Sequence, residues 1–171
     1  QCTTSVNVSS DPRNTVCAVT NVTSTANMSG GTDPQYQWQS DQSNVSGETS
    51  SNFTTNSLTN GQKVRVVITS GTQDDDCSKP SSEITMTVNP VRTPTVSVTA
   101  NKTSLCSGES ITFSASNTHG GNSPQYEWFV NNSTTISQKG QSVTFSSAEF
   151  NEGQNTVRVR LTSSYDCVTS D

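Results

Sequence analysis

The chain has 171 residues and a formal net charge of −5, with 27% hydrophobic and 13% charged residues. It contains no run of Lys and Arg, which argues against a nucleic-acid or anionic-membrane partner, because both require clustered positive charge. No apolar stretch approaches the roughly 18 residues of a membrane helix, and no signal-peptide core opens the chain. We therefore expect no membrane insertion, and any export signal would lie outside this sequence.

A repeat at a spacing of 90 residues organises the chain. Gly-Gly-Thr-Asp-Pro-Gln-Tyr-Gln-Trp at 30–38 returns as Gly-Gly-Asn-Ser-Pro-Gln-Tyr-Glu-Trp at 120–128. Gly-Gly-x-x-Pro is typical of a turn, and Tyr-x-Trp places both rings on one face of a strand. We predict two copies of one small β domain, residues 1–91 and 92–171, joined by a stiff linker that holds two prolines. The predicted core aromatics are Tyr36, Trp38, Tyr126 and Trp128.

Short segments of alternating apolar residues predict the strands of both copies. In the first copy they centre on Val6 and Val8, Val19–Thr25, Tyr36 and Trp38, Phe53 and Leu58, Val64–Thr69, and Ile84–Val88. In the second copy they centre on Val96 and Val98, Ile111–Ala115, Tyr126 and Trp128, Val143 and Phe145, and Val157–Thr162. Ile84–Val88 has no counterpart in the second copy, whose last strand is therefore expected to be missing. Either the sequence is part of a longer chain, which we favour, or another chain supplies the strand.

The cysteines follow the repeat. Cys17 and Cys77 are 60 residues apart, and Cys106 and Cys167 are 61 residues apart. Matching separations in matching domains predict one disulfide in each domain and an oxidising, extracellular compartment. The alternative is a metal site, but the chain has no Cys-x-x-Cys pair and a single histidine, His119.

Three longer motifs carry a resemblance to a known family. They are Cys-x-Gly-x-Ser-Ile-Thr-Phe at 106–113, Gly-Gly-x-x-Pro-Gln-Tyr-x-Trp at 120–128 and Thr-Val-Arg-Val-Arg-Leu-Thr-Ser-Ser-x-x-Cys at 156–167. This pattern resembles the Ig-like, PKD-like tandem repeats of large Bacteroidota surface proteins. The resemblance implies an all-β fold of two tandem immunoglobulin-like β-sandwich domains, in a family of adhesin-type proteins that are often exported by the type IX route. The first copy departs from it at 17–20, where the Cys-x-Gly turn is absent.

The sequence contains no convincing catalytic set. A serine triad needs a positioned histidine base, whereas His119 lies in a Gly-rich turn that only one copy contains. Glycoside cleavage would need Glu127 paired with Glu109 or Asp166, but the first copy has Gln37 in place of Glu127. We predict that the chain is not an enzyme and needs no cofactor.

Three other features are candidate binding or bonding positions. Asp74, Asp75 and Asp76 form a weak calcium candidate, for which a solvated loop is the favoured interpretation. Phe129 has the opposite strand parity to the predicted core tryptophan, so it is the candidate for an exposed sugar contact. Cys2 has no partner in the repeat and is expected to bond to an upstream segment or to another chain.

These observations predict a non-catalytic structural or adhesion repeat of a long extracellular cell-surface protein or filament, acting as a disulfide-stapled, rod-like spacer. Its expected partners are flanking repeats, neighbouring filament subunits or surface glycans. The alternatives are a carbohydrate-binding module, and a fibre subunit completed by a strand from a neighbouring chain.

Overall fold

The computed structural model describes residues 4–70 and 77–169. The chain forms two compact units, Gln1–Pro90 and Val91–Asp171, a division one residue before the boundary that the sequence suggested. The fold is all-β, and each unit is an Ig-like β-sandwich, which confirms the predicted fold class. Within the described ranges, no helix has the length and apolar character needed to cross a bilayer.

Two antiparallel sheets and one parallel pair of strands build the first unit. Its strands are β1 (Ser5–Asp11), β2 (Thr15–Cys17), β3 (Val22–Ser29), β4 (Gln35–Ser40), β5 (Ser43–Asn44), β6 (Asn52–Thr55), β7 (Lys63–Ser70), β8 (Cys77–Pro80), β9 (Ile84–Thr85) and β10 (Thr87–Asn89). One sheet has the order β1-β3-β6, and the other has the order β5-β4-β7-β8 with β9 also on β7. The last segment then leaves β7, and β10 pairs in parallel with β2.

The core of the first unit lies between these sheets. In β7 the side chains of Val64, Val66 and Ile68 point inward and are at most 1% exposed, as their alternation predicts. They pack with the buried Trp38 and with Met86, which lies between β9 and β10 and is 1% exposed. The last segment therefore contributes both strand pairing and a core side chain.

The described residues of the second unit repeat this plan of two sheets. The strands of this unit are β11 (Thr95–Ala100), β12 (Ser110–Thr118), β13 (Gln125–Val130), β14 (Gln138–Lys139), β15 (Ser142–Ser146) and β16 (Val157–Thr162), with a 3-10 turn at Ser147–Glu149. One sheet has the order β11-β12-β15 and the other has the order β14-β13-β16. Its buried core consists of Ile111, Ala115, Tyr126, Trp128, Val143 and Phe145.

The segment around Val19 differs from its sequence-based prediction. A strand was expected from Val19 to Thr25, but β3 begins at Val22. Val19 has a φ of 59° and is 76% exposed, so it occupies a left-handed turn position that β-branched residues rarely adopt. Gly108 holds the equivalent place, two residues after the cysteine, with a φ of 84°. The turn that the first copy was expected to lack is therefore present, with valine in the glycine position.

We expect Val19→Gly to stabilise the first unit by about 0.5–1.5 kcal/mol, because relief of the left-handed strain exceeds the entropy cost of a new glycine. Urea denaturation followed by fluorescence of Trp38 measures this change. Gly108→Val is the matched control and is expected to destabilise the second unit. A lower stability for Val19→Gly would contradict the assignment of strain to this turn.

Candidate functional site

The Tyr-x-Trp pairs belong to the cores of the two units. Trp38 and Trp128 are both 0% exposed, Tyr126 is 6% exposed, and Tyr36 is partly buried against the first core. The indole Nε1 of Trp38 donates to the carbonyl oxygen of Ser50 at 2.8 Å. Trp128 makes the corresponding bond to Gly140 at 2.7 Å. Both tryptophans thus satisfy their polar atom while filling the space between the sheets.

Phe129 does not form the exposed sugar contact that its parity suggested. It faces away from Trp128, as expected, but it is only 5% exposed. The guanidinium carbon of Arg158 lies 4.7 Å from the ring centroid, and that of Arg160 lies 5.5 Å away. Two cation–π contacts therefore cover the ring on the outer face of β13. The sequence signal for this contact is the alternation of Arg with Val in β16. When β16 pairs with β13, the arginines lie on the outer face beside Phe129.

Glu127 lies on the same outer face and is surrounded by cations. Arg160 Nε donates to Glu127 Oε2 at 3.0 Å, and Lys139 Nζ lies 3.5 Å from Oε1. The hydrogen bond from Arg160, followed by the charges of Arg160 and Lys139, lowers the pKa of Glu127 despite partial desolvation. A carboxylate held ionised in this way is a poor general acid, so the geometry favours a structural role.

Arg160→Ala is expected to raise the pKa of Glu127 toward the usual value of a glutamate, because it removes the largest cause of the lowering. The folded-state pKa is depressed, so this ion pair stabilises the fold at neutral pH, and its contribution is lost as the pH falls through that pKa. NMR titration of the Glu127 carboxyl carbon measures the shift. Arg158→Ala is the control, since Arg158 Nη2 donates to Ser133 O and not to Glu127. An unchanged pKa in Arg160→Ala would contradict the assigned cause.

The other candidate catalytic residues do not converge with Glu127. Glu109 lies in the turn before β12, where its Oε2 accepts from the backbone N–H of Cys106 at 2.8 Å and its Oε1 lies 3.4 Å from Lys102 Nζ. These two contacts lower the pKa of Glu109. His119 has a φ of 54°, and its Nδ1 lies 3.0 Å from the carbonyl oxygen of Thr93. The histidine is a turn residue, as predicted.

The second unit does not contain the predicted Cys106–Cys167 bridge. Cys106 is an exposed free thiol, whereas Cys167 is disulfide-bonded. Cys106 precedes β12 beside Lys102, and the carbonyl of Cys167 accepts from the backbone N–H of Arg92 at 2.9 Å. Strand β11 runs between these two places, so the cysteines lie at opposite ends of the unit. Equal sequence separation did not imply spatial proximity.

In the first unit, too, the two cysteines lie at opposite ends of the sandwich. Cys17 and Cys77 are each disulfide-bonded. Cys17 pairs with Asn89 at the end of β10, whereas Cys77 pairs with Ser70 at the far end of β7. Strand β7 has eight residues, and an extended strand of that length spans about 25 Å. A disulfide requires Cα atoms closer than about 7 Å, so cysteines at opposite ends of this strand cannot bond to each other. The predicted Cys17–Cys77 pairing is therefore corrected as well, although both residues are oxidised.

Two predictions fall on residues that the structure does not describe. The calcium candidate at Asp74, Asp75 and Asp76 lies outside the described residues, and so does Cys2. Among residues 4–70 and 77–169, no group of His, Cys, Asp and Glu side chains is arranged to hold a metal ion.

An open groove of about 880 Å³ lies at one end of the second unit. Its apolar floor includes Leu105, Ile111, Phe113, Phe150 and Val157. Lys102 and Glu152, of opposite charge, are among the residues at the rim. The groove is open to solvent, and its lining combines apolar and polar side chains.

The comparisons with known proteins concern mainly the fold. A family model described as a domain of unknown function, DUF8696, matches residues 6–90. That match covers the first unit. No curated protein matches the chain. The solved structure of three N-terminal domains of the bacteriophage RB49 Highly Immunogenic Outer Capsid protein (Hoc) is similar over 94% of this chain, with 18% identity and a TM-score of 0.44. The chain spans 55% of the length of that structure.

Proposed function

We propose that this chain is a non-catalytic structural and adhesion module of a long extracellular surface protein, of the tandem-repeat kind that it resembles in Bacteroidota. The observation that carries the proposal is that one small sandwich occurs twice, with the same turn and the same buried tryptophan in each unit. The Tyr-x-Trp aromatics of each unit pack in its own core. A second copy of such a domain therefore adds length and surface. It does not add a reaction centre.

The sheet faces support this role. The outward side chains are mostly Ser, Thr, Asn and Gln, and cross-strand hydroxyl pairs such as Thr112 with Thr144, at 2.9 Å, continue across the outer face. Charges on the outer faces are paired, as in Glu127 with Arg160 and Glu83 with Lys63. A surface of this kind stays hydrated without strong charge, which suits a spacer between neighbouring repeats.

The cysteines support an extracellular location. Cys17, Cys77 and Cys167 are disulfide-bonded, and disulfides persist in oxidising compartments. We propose flanking repeats and neighbouring subunits as the partners of the module. Surface glycans are a further proposed class of partner. Phe129, which was the candidate, is not assigned as their contact, because arginine side chains cover it.

Thiol labelling on intact cells tests this function. Native protein is treated with a membrane-impermeant alkylating reagent before and after reduction, and the peptides are mapped by mass spectrometry. We expect label on Cys106 before reduction, and label on Cys17, Cys77 and Cys167 only after reduction. Protein that is inaccessible on intact cells, with all of these cysteines reduced after lysis under acid quench, would contradict an extracellular role.

A further inference from the structure

The outer face of the β14-β13-β16 sheet carries more positive than negative charge. The charged side chains of its strands are Lys139 in β14, Arg158 and Arg160 in β16, and Glu127 in β13. Strand pairing places all four on one face, because Glu127 lies opposite Lys139 and Arg160, and Arg158 is two residues from Arg160. Three cations and one carboxylate leave two positive charges on this face, in a chain whose formal net charge is −5.

Both arginines are held in place by the same aromatic ring. The guanidinium carbons of Arg158 and Arg160 lie 4.7 Å and 5.5 Å, respectively, from the ring centroid of Phe129. Arg158 Nη2 also donates to the carbonyl of Ser133 at 2.7 Å, and Arg160 Nε donates to Glu127 Oε2 at 3.0 Å. An arginine that is already fixed in this way loses less conformational entropy when it binds a ligand.

The three cations remain accessible to a ligand. The side chain of Arg160 is 62% exposed and that of Lys139 is 70% exposed, whereas that of Glu127 is 18% exposed. Arg158 is exposed as well. The hydrogen bonds described use one N–H group of Arg158 and two of Arg160, fewer than a guanidinium offers. The face therefore presents unused cationic donors, while its carboxylate is mostly covered.

We propose that this face binds an acidic polysaccharide through the carboxylate or sulfate groups of the polymer. The planar fork of a guanidinium matches the oxygens of such a group, and Arg158 and Arg160 offer two forks whose backbone positions are about 7 Å apart along β16. The positive face complements the negative polymer. This inference rests on the proposed extracellular role and names the chemistry of one of its partner classes, the surface glycans.

Nucleic acid and anionic membrane fit this face less well. Duplex DNA carries about one phosphate charge per 1.7 Å of helix axis, and the proteins that bind it can make about 6–10 phosphate contacts. Two positive charges on a chain of net charge −5 are too few to attract so dense an anion. Gln125 and Thr162, which are exposed and lie opposite each other on the same face, suit the hydroxyl groups of sugars.

Binding of purified polysaccharides to the 171-residue protein tests the proposal. The probes are polygalacturonate, which carries carboxylates, dextran sulfate, which carries sulfates, and uncharged dextran. We expect saturable NMR shifts at Arg158, Arg160 and Lys139 with an acidic polymer and none with dextran. Raising the salt concentration from about 0.1 M to about 1 M is expected to weaken binding at least about fivefold, because it shortens the Debye length from about 10 Å to about 3 Å. The acidic polymer that binds more tightly identifies the group that the face recognises.

Two variants with opposite expected effects make the result specific. Arg158→Gln is expected to weaken binding at least about fivefold, because it removes a charge-assisted hydrogen bond. Glu127→Gln is expected to strengthen binding about twofold to fivefold, because it removes the carboxylate that competes for the cations. Damage to the fold would not strengthen binding. Arg65→Gln is the matched control in the first unit, where Arg65 Nε donates to Gln39 at 2.7 Å, and it is expected to bind as the wild type does.

The NMR spectrum of each variant shows whether the second unit is folded, and Lys139→Gln replaces Arg158→Gln if the latter is not. Absence of saturable binding by both acidic polymers, equal binding of uncharged dextran, or equal affinities of the wild type and the variant that removes a cation would overturn the proposal. Tighter binding of duplex DNA or of vesicles that contain anionic phospholipid would overturn it as well. Thiol labelling on intact cells tests the extracellular location separately, so the failure of either test is distinguishable from the failure of the other.

Discussion

Trp128→Ala is expected to destabilise the second unit by about 3–5 kcal/mol, the usual cost of removing a fully buried indole from a core. Trp128 is 0% exposed, and its ring centroid lies 6.1 Å from that of Phe113. Small domains have a total stability of about 5–15 kcal/mol, so this single change removes much of the stability of the second unit. Urea denaturation followed by circular dichroism measures the loss.

The two units provide a matched control for this substitution. The chain has two tryptophans, one in each core, so the Trp128 variant retains Trp38 as a fluorescent reporter of the first unit. We expect the Trp38 transition to be unchanged, and Trp38→Ala to have the reciprocal effect. Trp128→Phe is expected to cost less than Trp128→Ala, since it loses the bond to Gly140 but keeps most of the packing. Equal stability of the wild type and Trp128→Ala would contradict the assigned core.

Met86→Ala is expected to destabilise the first unit by about 2–5 kcal/mol. The side chain is 1% exposed and is the part of the last segment that enters the core. We expect a lower urea midpoint for the unfolding transition of the first unit, which Trp38 reports. The transition of the second unit is expected to be unchanged, because Met86 belongs to the core of the first unit alone.

Thr85→Ala is the control for Met86→Ala, because Thr85 is exposed on the same segment. Its expected effect is within about 0.5 kcal/mol of the wild type. Equal losses for both variants would mean that the segment contributes through its backbone alone. That outcome would remove the core role given to Met86.

The sequence was sufficient for the fold because its patterns are local. Alternation in Val64–Thr69 and Val157–Thr162 predicts strands of period two, and the repeated Tyr-x-Trp predicts the inward tryptophans. Each of these inferences requires only neighbouring residues or a comparison of the two copies.

The sequence was insufficient where the outcome depends on residues that are distant along the chain. Parity placed Phe129 on the outer face, but only the pairing of β13 with β16 brings Arg158 and Arg160 over its ring. Equal spacing suggested the cysteine pairs, but the spacing of 60 or 61 residues does not reveal that each pair is divided between opposite ends of a sandwich. The strand prediction at Val19 was wrong because valine favours strands, whereas the turn formed with its neighbours determines the φ of this residue.

Amide hydrogen exchange, resolved by NMR for Val66 and Val159, tests most directly the strand pairing that the structure describes for β7 and β16. The N–H of Val66 donates to Ser81 Oγ at 3.1 Å on the side of β7 away from β4. Val159 occupies the same position in β16, and its N–H faces the open edge. We predict exchange at least about tenfold faster for Val159 than for Val66 in the 171-residue protein. Equal protection of the two amides would contradict the account, because Val159 N–H would then have a hydrogen-bond partner that the described pairing of β16 does not give it.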